Sequence, residues 1–254
     1  MASSRACRSH ARTTPSRASR CLVLALSMAL AAPGQQDPPG GAAPPAPSAF
    51  EAAQAAARPR DADELFRHFA ALRGLAATFT ERKHLSLLAV PLESRGALYF
   101  LPPGHLARVV EAPEPCSVTI TAAELRMRDA TGVEVLDLRQ SDRVRLFVTS
   151  LLRVFQGDRD ALAAHYRVRY EPDPDDGGAW RLVLTPRGEP LDRILTELAL
   201  AGRGRAVREI TWLEPGGDRT VTTIVTAEPD RVFTEAERRD LFGIEPDGSE
   251  GAKK

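Results

Sequence analysis

RGALYFLPPGHLARVVEAPEPCSVTITAAELRMRDATGVEVLDL, residues 95–138, has the clearest structural pattern in the sequence. Apolar and polar residues alternate along its short runs, which is typical of strands with one buried face. Turn-forming segments separate the runs, namely Pro-Pro-Gly at 102–104, Glu-Ala-Pro-Glu-Pro at 111–115 and residues 129–132. Such short connections leave room only for antiparallel neighbours. The stretch therefore predicts an antiparallel meander.

The same alternation continues on both sides of this stretch. The predicted strands are 78–90, 95–101, 106–112, 116–121, 123–128, 133–138, 166–170, 179–185, 192–200, 205–214 and 219–227. A twisted sheet of roughly eleven strands curls rather than staying flat. The predicted fold class is α+β: an incomplete antiparallel β-barrel, or half-barrel, with a helical lid over an apolar concave cavity.

Helical periodicity marks the segments that would form this lid. Asp61 and Glu64 have capping-box spacing, and an apolar stripe follows them. The Ala-rich residues 50–58 are expected to extend that helix. A second apolar face runs from Val144 to Phe155 and stops at Gly157, followed by a short helix over 158–165. Thr234 and Glu237 predict a last helix ending near Leu241. Apolar helix faces must cover something, and the concave face of the sheet is the expected place.

The first residues have the layout of a secretory signal. Five arginines precede the apolar run CLVLALSMALAA at 21–32, and Ala29-Leu30-Ala31 supplies small residues before a cleavage point. An organellar transit peptide is the alternative. We predict a signal peptide at 1–31, a disordered Pro/Gly/Ala linker at 32–49, a single folded domain at 50–246 and a polar tail at 247–254. The expected location is the periplasm.

Charge and motifs argue against several classes of function. Subtracting the five leader arginines from 34 basic residues leaves 29 against 34 acidic residues, so no basic excess for nucleic acid exists. The histidines lack zinc-hydrolase spacing, and Asp173, Asp175 and Asp176 lack the glutamate that completes an EF-hand. Cys116 alternates with Val118 and Ile120 and is interpreted as a core thiol. We predict no catalytic residues, no metal and no cofactor.

Three segments resemble the LolA-type carriers of outer-membrane lipoproteins. They are residues 79–113, the strand pair at 116–128 and residues 182–220, and the ending at 241–246 is also similar. The resemblance implies an incomplete barrel, an apolar cavity and a helical lid. It also implies an acylated lipoprotein or lipid as cargo, an inner-membrane transporter and an outer-membrane acceptor as partners, and a monomer.

The sequence departs from this family at the lid latch. The family places a basic residue before the proline that follows the G-x-L-x-F strand, and here that position is Pro102. Arg108 lies nearby and is the candidate substitute. The chain is accordingly interpreted as a divergent member, similar to relatives that accompany lipid or polyene export.

We expect apolar side chains on both the sheet and the lid to line the ligand cavity. The predicted lining residues are Leu98, Phe100, Leu106, Val118, Ile120, Leu151, Phe155, Leu182 and Leu184, with plain core packing as the alternative for each. The leading hypothesis is a non-enzymatic carrier that moves an acylated cargo from the inner to the outer membrane. The alternatives are a lipid or envelope-stress sensor, an accessory protein of a lipid or polyene export system, and an esterase. The esterase lacks a nucleophile and base within reach.

Overall fold

The computed structural model describes residues 48–244, which form eleven strands in a single antiparallel sheet. The predicted signal peptide, residues 32–47 of the predicted linker and the polar tail lie outside this range. The strands are β1 (Leu75–His84), β2 (Leu92–Leu101), β3 (His105–Ala112), β4 (Cys116–Ile120), β5 (Glu124–Asp129), β6 (Gly132–Asp137), β7 (Tyr166–Pro172), β8 (Ala179–Pro186), β9 (Glu197–Arg203), β10 (Ala206–Leu213) and β11 (Arg219–Pro229).

The sheet is open and strongly curled. Its spatial order is β6-β5-β4-β3-β2-β1-β11-β10-β9-β8-β7, so β6 and β7 form the two free edges. Residues of β5 and β9 nevertheless line one cavity. Those strands are seven steps apart, or about 34 Å in a flat sheet, so the sheet must bend around the cavity. The predicted incomplete barrel of eleven strands is confirmed.

Within residues 48–244, five α-helices accompany the sheet: α1 (Ala49–Ala55), α2 (Ala62–Ala70), α3 (Asp142–Gln156), α4 (Arg159–His165) and α5 (Glu235–Phe242). The longest, α3, follows β6 and precedes β7, so it crosses between the two free edges. The Ser141 hydroxyl caps α3, and the helix ends at Gly157, whose φ of 68° suits a residue without a side chain. A Cβ there would also lie 2.1 Å from the Phe66 carbonyl oxygen of α2.

The concave face holds most of the core. One apolar cluster joins α2, α3 and α4 to β7, β8 and β9. A second cluster joins α3 to β2, β3, β4 and β5. On the opposite, convex face, α5 packs Phe242 against Phe233 and Ala107. The helix α3 therefore unites both halves of the curled sheet from the inside.

Three sequence expectations about element boundaries are wrong. Residues 50–58 do not extend α2, because α1 ends at Ala55 and the chain is extended at Ala56. The strand predicted at 78–90 begins at Leu75 and ends at His84, where a turn takes over. The strand predicted at 192–200 begins only at Glu197, because Leu191–Arg193 form a 3-10 helix after Pro190.

Candidate ligand cavity

An apolar cavity of about 180 Å³ lies between α3 and the concave face of the sheet. We call it the α3 cavity. Its helical side is formed by Phe147, Val148, Leu151, Val154 and Phe155. Its sheet side is mostly aliphatic and includes Leu98, Leu106, Val118, Ile120, Leu125, Met127, Leu198, Leu200, Ile210 and Ile224. Mostly apolar walls with a few polar groups are typical of sites for small hydrophobic ligands.

A second cavity, of about 280 Å³, lies beneath α1 and α2. We call it the α1 cavity. Phe50 and Ala53 of α1, together with His68 and Phe69 of α2, line it on one side. Six residues line both cavities: Leu98, Val154, Phe155, Leu200, Ile210 and Ile224. The two cavities are therefore neighbours that share an apolar wall.

Aromatic contacts hold α3 over the sheet. The Phe155 ring stacks on Phe100 of β2, with centroids 5.3 Å apart. The Phe147 ring contacts Trp212 of β10 at 5.5 Å. Together these contacts attach the helix to both halves of the curled sheet. The side-chain amide of Gln156 also donates to the Pro103 carbonyl in the β2–β3 turn.

The nine lining residues predicted from the sequence take three different positions in the structure. The first group lines the α3 cavity and comprises Leu98, Leu106, Val118, Ile120, Leu151 and Phe155. Leu182 and Leu184 instead lie fully buried on β8 in the cluster with α2 and α4, because helices cover that part of the concave face. Phe100 is covered by Phe155 and lines neither cavity.

Charged side chains replace apolar ones toward one end of the α3 cavity. On β1, Ala77, Phe79, Glu81 and Lys83 alternate on the buried face. Glu81 is 2% exposed and Lys83 is 1% exposed. Glu81, Arg108, Glu214 and Thr222 line the cavity directly. We call these four residues with Lys83 the polar end.

Two ion pairs compensate the charges of the polar end. Arg108 Nη2 donates to Glu81 Oε1 at 2.8 Å, and Thr222 Oγ1 donates to Glu81 Oε2 at 2.6 Å. Lys83 Nζ lies 3.1 Å from Glu214 Oε1. The Arg108 guanidinium also sits over the Phe79 ring, 4.1 Å from its centroid. Burial lowers the pKa of Arg108, which its pairing with Glu81 opposes.

Gly96 allows β2 and β3 to approach closely beside the polar end. Arg108 and Glu81 stand on strands separated by β2, and Gly96 is the β2 residue paired with both Phe79 and Val110. A Cβ there would lie 1.9 Å from the Val109 carbonyl oxygen, so no larger residue fits. The polar end was not predicted from the sequence, although Phe79, Glu81 and Lys83 alternate with exposed Thr80 and Arg82.

The candidate latch residue has a different partner from the one expected. The ion-pair partner of Arg108 is Glu81, on the sheet rather than on α3. Gln156 makes the hydrogen bond from α3 to the turn that follows Pro102. The lid of this chain is therefore attached by an amide and by aromatic stacking.

Outside the polar end, the potential metal ligands and nucleophiles among residues 48–244 form no comparable site. Among residues 48–244, no group of three His, Cys, Asp or Glu side chains is placed to hold a metal ion. Cys116 is half-buried beside Val110 and Phe79, and burial raises the pKa of its thiol. A thiol with a raised pKa is a poor nucleophile at neutral pH.

The turn between β1 and β2 is apolar and exposed at the polar-end side of the sheet. Leu87 is 93% exposed, and Leu88 and Val90 are also exposed. The backbone of Ser86 donates to Asp218 of the β10–β11 turn at 2.8 Å, which ties the two turns together. None of the helices described in residues 48–244 has the length and apolar character needed to span a bilayer.

Comparison with known proteins identifies the family. Residues 53–238 match the family described as outer membrane lipoprotein carrier protein LolA-like. This match covers most of the chain, so the chain belongs to the LolA-like family. No curated protein sequence matches the chain.

Several solved structures are similar at low sequence identity. A LolA superfamily protein from Nitrosomonas europaea is 11% identical over 70% of this chain and 97% of its own, with a TM-score of 0.37. A putative outer membrane lipoprotein-sorting protein domain from Vibrio parahaemolyticus is 9% identical over 70% and 94%, with a TM-score of 0.41. The MucA/MucB complex of Pseudomonas aeruginosa is 12% identical over 69% of this chain, with a TM-score of 0.42. This chain spans 59% of the matched chain in that complex.

Proposed function

We propose that this protein is a non-enzymatic periplasmic carrier that holds the acyl chains of a lipoprotein or lipid in the α3 cavity. The single observation that carries the proposal is this apolar space between α3 and the curled sheet. Membership of the LolA-like family supports the proposal, since the family description names lipoprotein carriers. The acyl-binding residues we propose are Leu98, Leu106, Val118, Ile120, Leu151 and Phe155. We propose Phe100 as a support for Phe155, while Leu182 and Leu184 have a core role.

The physical need for a carrier is large. Burial of one CH₂ group contributes about 0.8 kcal/mol, so a chain of about sixteen carbons resists crossing water by roughly 12 kcal/mol. An apolar cavity offsets much of this cost. Release must still be possible, and displacement of α3 from Phe100 and Trp212 lowers the net affinity for cargo.

The delivery step requires contact with a membrane or a membrane-bound partner. The exposed apolar turn at 85–91 lies at the polar-end side of the sheet and is suited to that contact. We propose that cargo enters and leaves near this turn, moving from the inner toward the outer membrane through a transporter and an acceptor.

A lipid-transfer assay tests the carrier function. Donor vesicles carry a pyrene-acyl phospholipid whose excimer emission falls when the lipid moves to unlabelled acceptor vesicles. We expect the transfer rate to rise in proportion to the concentration of the protein. Binding of the lipid without faster transfer would contradict the carrier and favour the sensor. Absence of both binding and transfer would exclude the acyl-binding role itself.

A further inference from the structure

The polar end has one buried side-chain donor atom without a partner. Arg108 Nε is buried and has no hydrogen-bond partner among residues 48–244, although Nη2 of the same guanidinium is paired with Glu81. The Arg108 side chain is 14% exposed and lines the α3 cavity. An unpaired buried donor costs free energy that a ligand acceptor would recover.

The charge balance decides what kind of acceptor fits. Arg108 and Lys83 are offset by Glu81 and Glu214, so the formal charge of the polar end is zero. An anionic headgroup would add an uncompensated negative charge near two carboxylates in a low-dielectric space. A neutral carbonyl oxygen accepts from Nε without that penalty. Both Glu81 oxygens already accept hydrogen bonds, so Arg108 Nε is the buried side-chain atom of the polar end that is left without a partner.

We infer that Arg108, positioned by Glu81 and Phe79, binds the neutral ester or amide carbonyl at the head of an acyl chain and selects against free carboxylates. This inference rests on the proposed acyl-binding function and adds the chemical class of the ligand. The acyl tail would then extend from Arg108 along Leu98, which neighbours Arg108 on β2, toward Phe155. Glu81 acts through Arg108 and is a positioning residue.

Three ligands with equal chain length test the inference. A monoacylglycerol, the corresponding fatty-acid anion and the corresponding alkane compete with a fluorescent acyl probe for the full-length protein. We expect the monoacylglycerol to bind about tenfold more tightly than the anion and the alkane, because one hydrogen bond to a charged donor is gained without a new charge.

The double variant Glu81→Leu/Arg108→Met tests the residues themselves. Replacing both partners of a buried ion pair with apolar residues usually keeps the fold, whereas Arg108→Met alone would leave Glu81 buried and unpaired. We expect the double variant to bind all probes but to lose the monoacylglycerol preference. The matched control is Arg82→Gln/Glu93→Gln. It removes an exposed ion pair on the outer face, in which Arg82 Nε lies 3.0 Å from Glu93 Oε1, and it should keep the preference for the monoacylglycerol.

The outcomes separate this inference from the proposed function. Tight binding of the fatty-acid anion, or an unchanged ester preference in the double variant, would overturn the inference and leave the acyl cavity standing. If neither the probe nor any of the three ligands binds, the proposed function fails and the inference fails with it.

Discussion

Phe155 of α3 stacks on Phe100 of β2, with ring centroids 5.3 Å apart and planes inclined by 30°. Phe155 also lines both cavities, whereas Phe100 is 1% exposed beneath it. The contact joins the lid to β2, which lies next to the central strand β1 of the curled sheet. The strength of this contact should therefore influence how easily α3 moves away from the cavity.

Phe155→Ala should speed the release of a bound acyl probe by about tenfold, because the variant loses an aromatic contact that holds the lid closed. We also expect a loss of about 2 kcal/mol in the free energy of unfolding. Stopped-flow dilution of the loaded protein measures the release rate. Phe242→Ala is the matched control, since Phe242 of α5 is buried against Phe233 and Ala107 on the convex face. Equal release rates in both variants would show that the stacking does not control the lid.

Leu87→Ser/Leu88→Ser should slow lipid transfer between vesicles by roughly tenfold while leaving probe affinity unchanged. Both side chains are exposed in the 85–91 turn, away from the two cavities, so their loss removes membrane contact and not cavity surface. Val133→Ser is the control, because Val133 is also exposed but lies on the edge strand β6. A similar slowing in the control would refute a specific role for the turn.

Acidification should destabilise the protein through two histidines. Burial lowers the pKa values of His68 and His105 below their ordinary value of 6.5, and Arg205 lowers that of His68 further. Their unfolded forms therefore bind protons more readily than the folded forms. The stability that the two neutral histidines contribute is present above pH 6.5. It is lost as the pH falls below 6.5 and through the pKa values of the folded protein.

His68→Gln/His105→Gln should consequently flatten the fall in Tm between about pH 7 and pH 5 relative to the unchanged protein. Thermal unfolding at several pH values checks this expectation. His84→Gln provides the control, since His84 is exposed at the end of β1. An identical pH profile for the double variant and the unchanged protein would rule out this source of acid sensitivity.

Lys83→Met should lower the free energy of unfolding by about 2 kcal/mol, because it removes the partner of Glu214 from a part-buried pair. The double variant Lys83→Met/Glu214→Leu should recover most of that loss, since no unpaired charge remains. Chemical denaturation of the two single variants and the double variant measures the coupling. A double variant as unstable as Lys83→Met would mean that the pair itself contributes the stability.

Much of the fold follows from periodicity in the sequence. Alternation with a period of two places Leu98, Leu106, Val118 and Ile120 on one face of the sheet, which is the face the structure shows around the α3 cavity. The capping residues Ser141 and Thr234 and the terminator Gly157 mark helix ends through local chemistry. These features depend on neighbouring residues and are visible without tertiary contacts.

Other features depend on contacts between distant segments. Whether a concave residue lines a cavity or packs in the core depends on which helix covers it, and this separates Leu184 from Leu198 on adjacent strands. The ion pair of Arg108 with Glu81 joins β3 to β1 across β2. The two residues come together only because of the order of the strands in the folded sheet. No local pattern around either residue indicates its partner.

The most direct test of the acyl cavity is photolabelling with a fatty-acyl probe that carries a diazirine at the end of its chain. After irradiation, peptide mass spectrometry should locate the label on cavity residues of β2, β4 and α3, such as Leu98, Val118 and Phe155. Leu151→Trp, which fills the α3 cavity, should abolish this labelling, whereas Arg145→Trp on the exposed side of α3 should not. Labels confined to exposed segments, or labelling unchanged by Leu151→Trp, would contradict an acyl-binding cavity beneath α3.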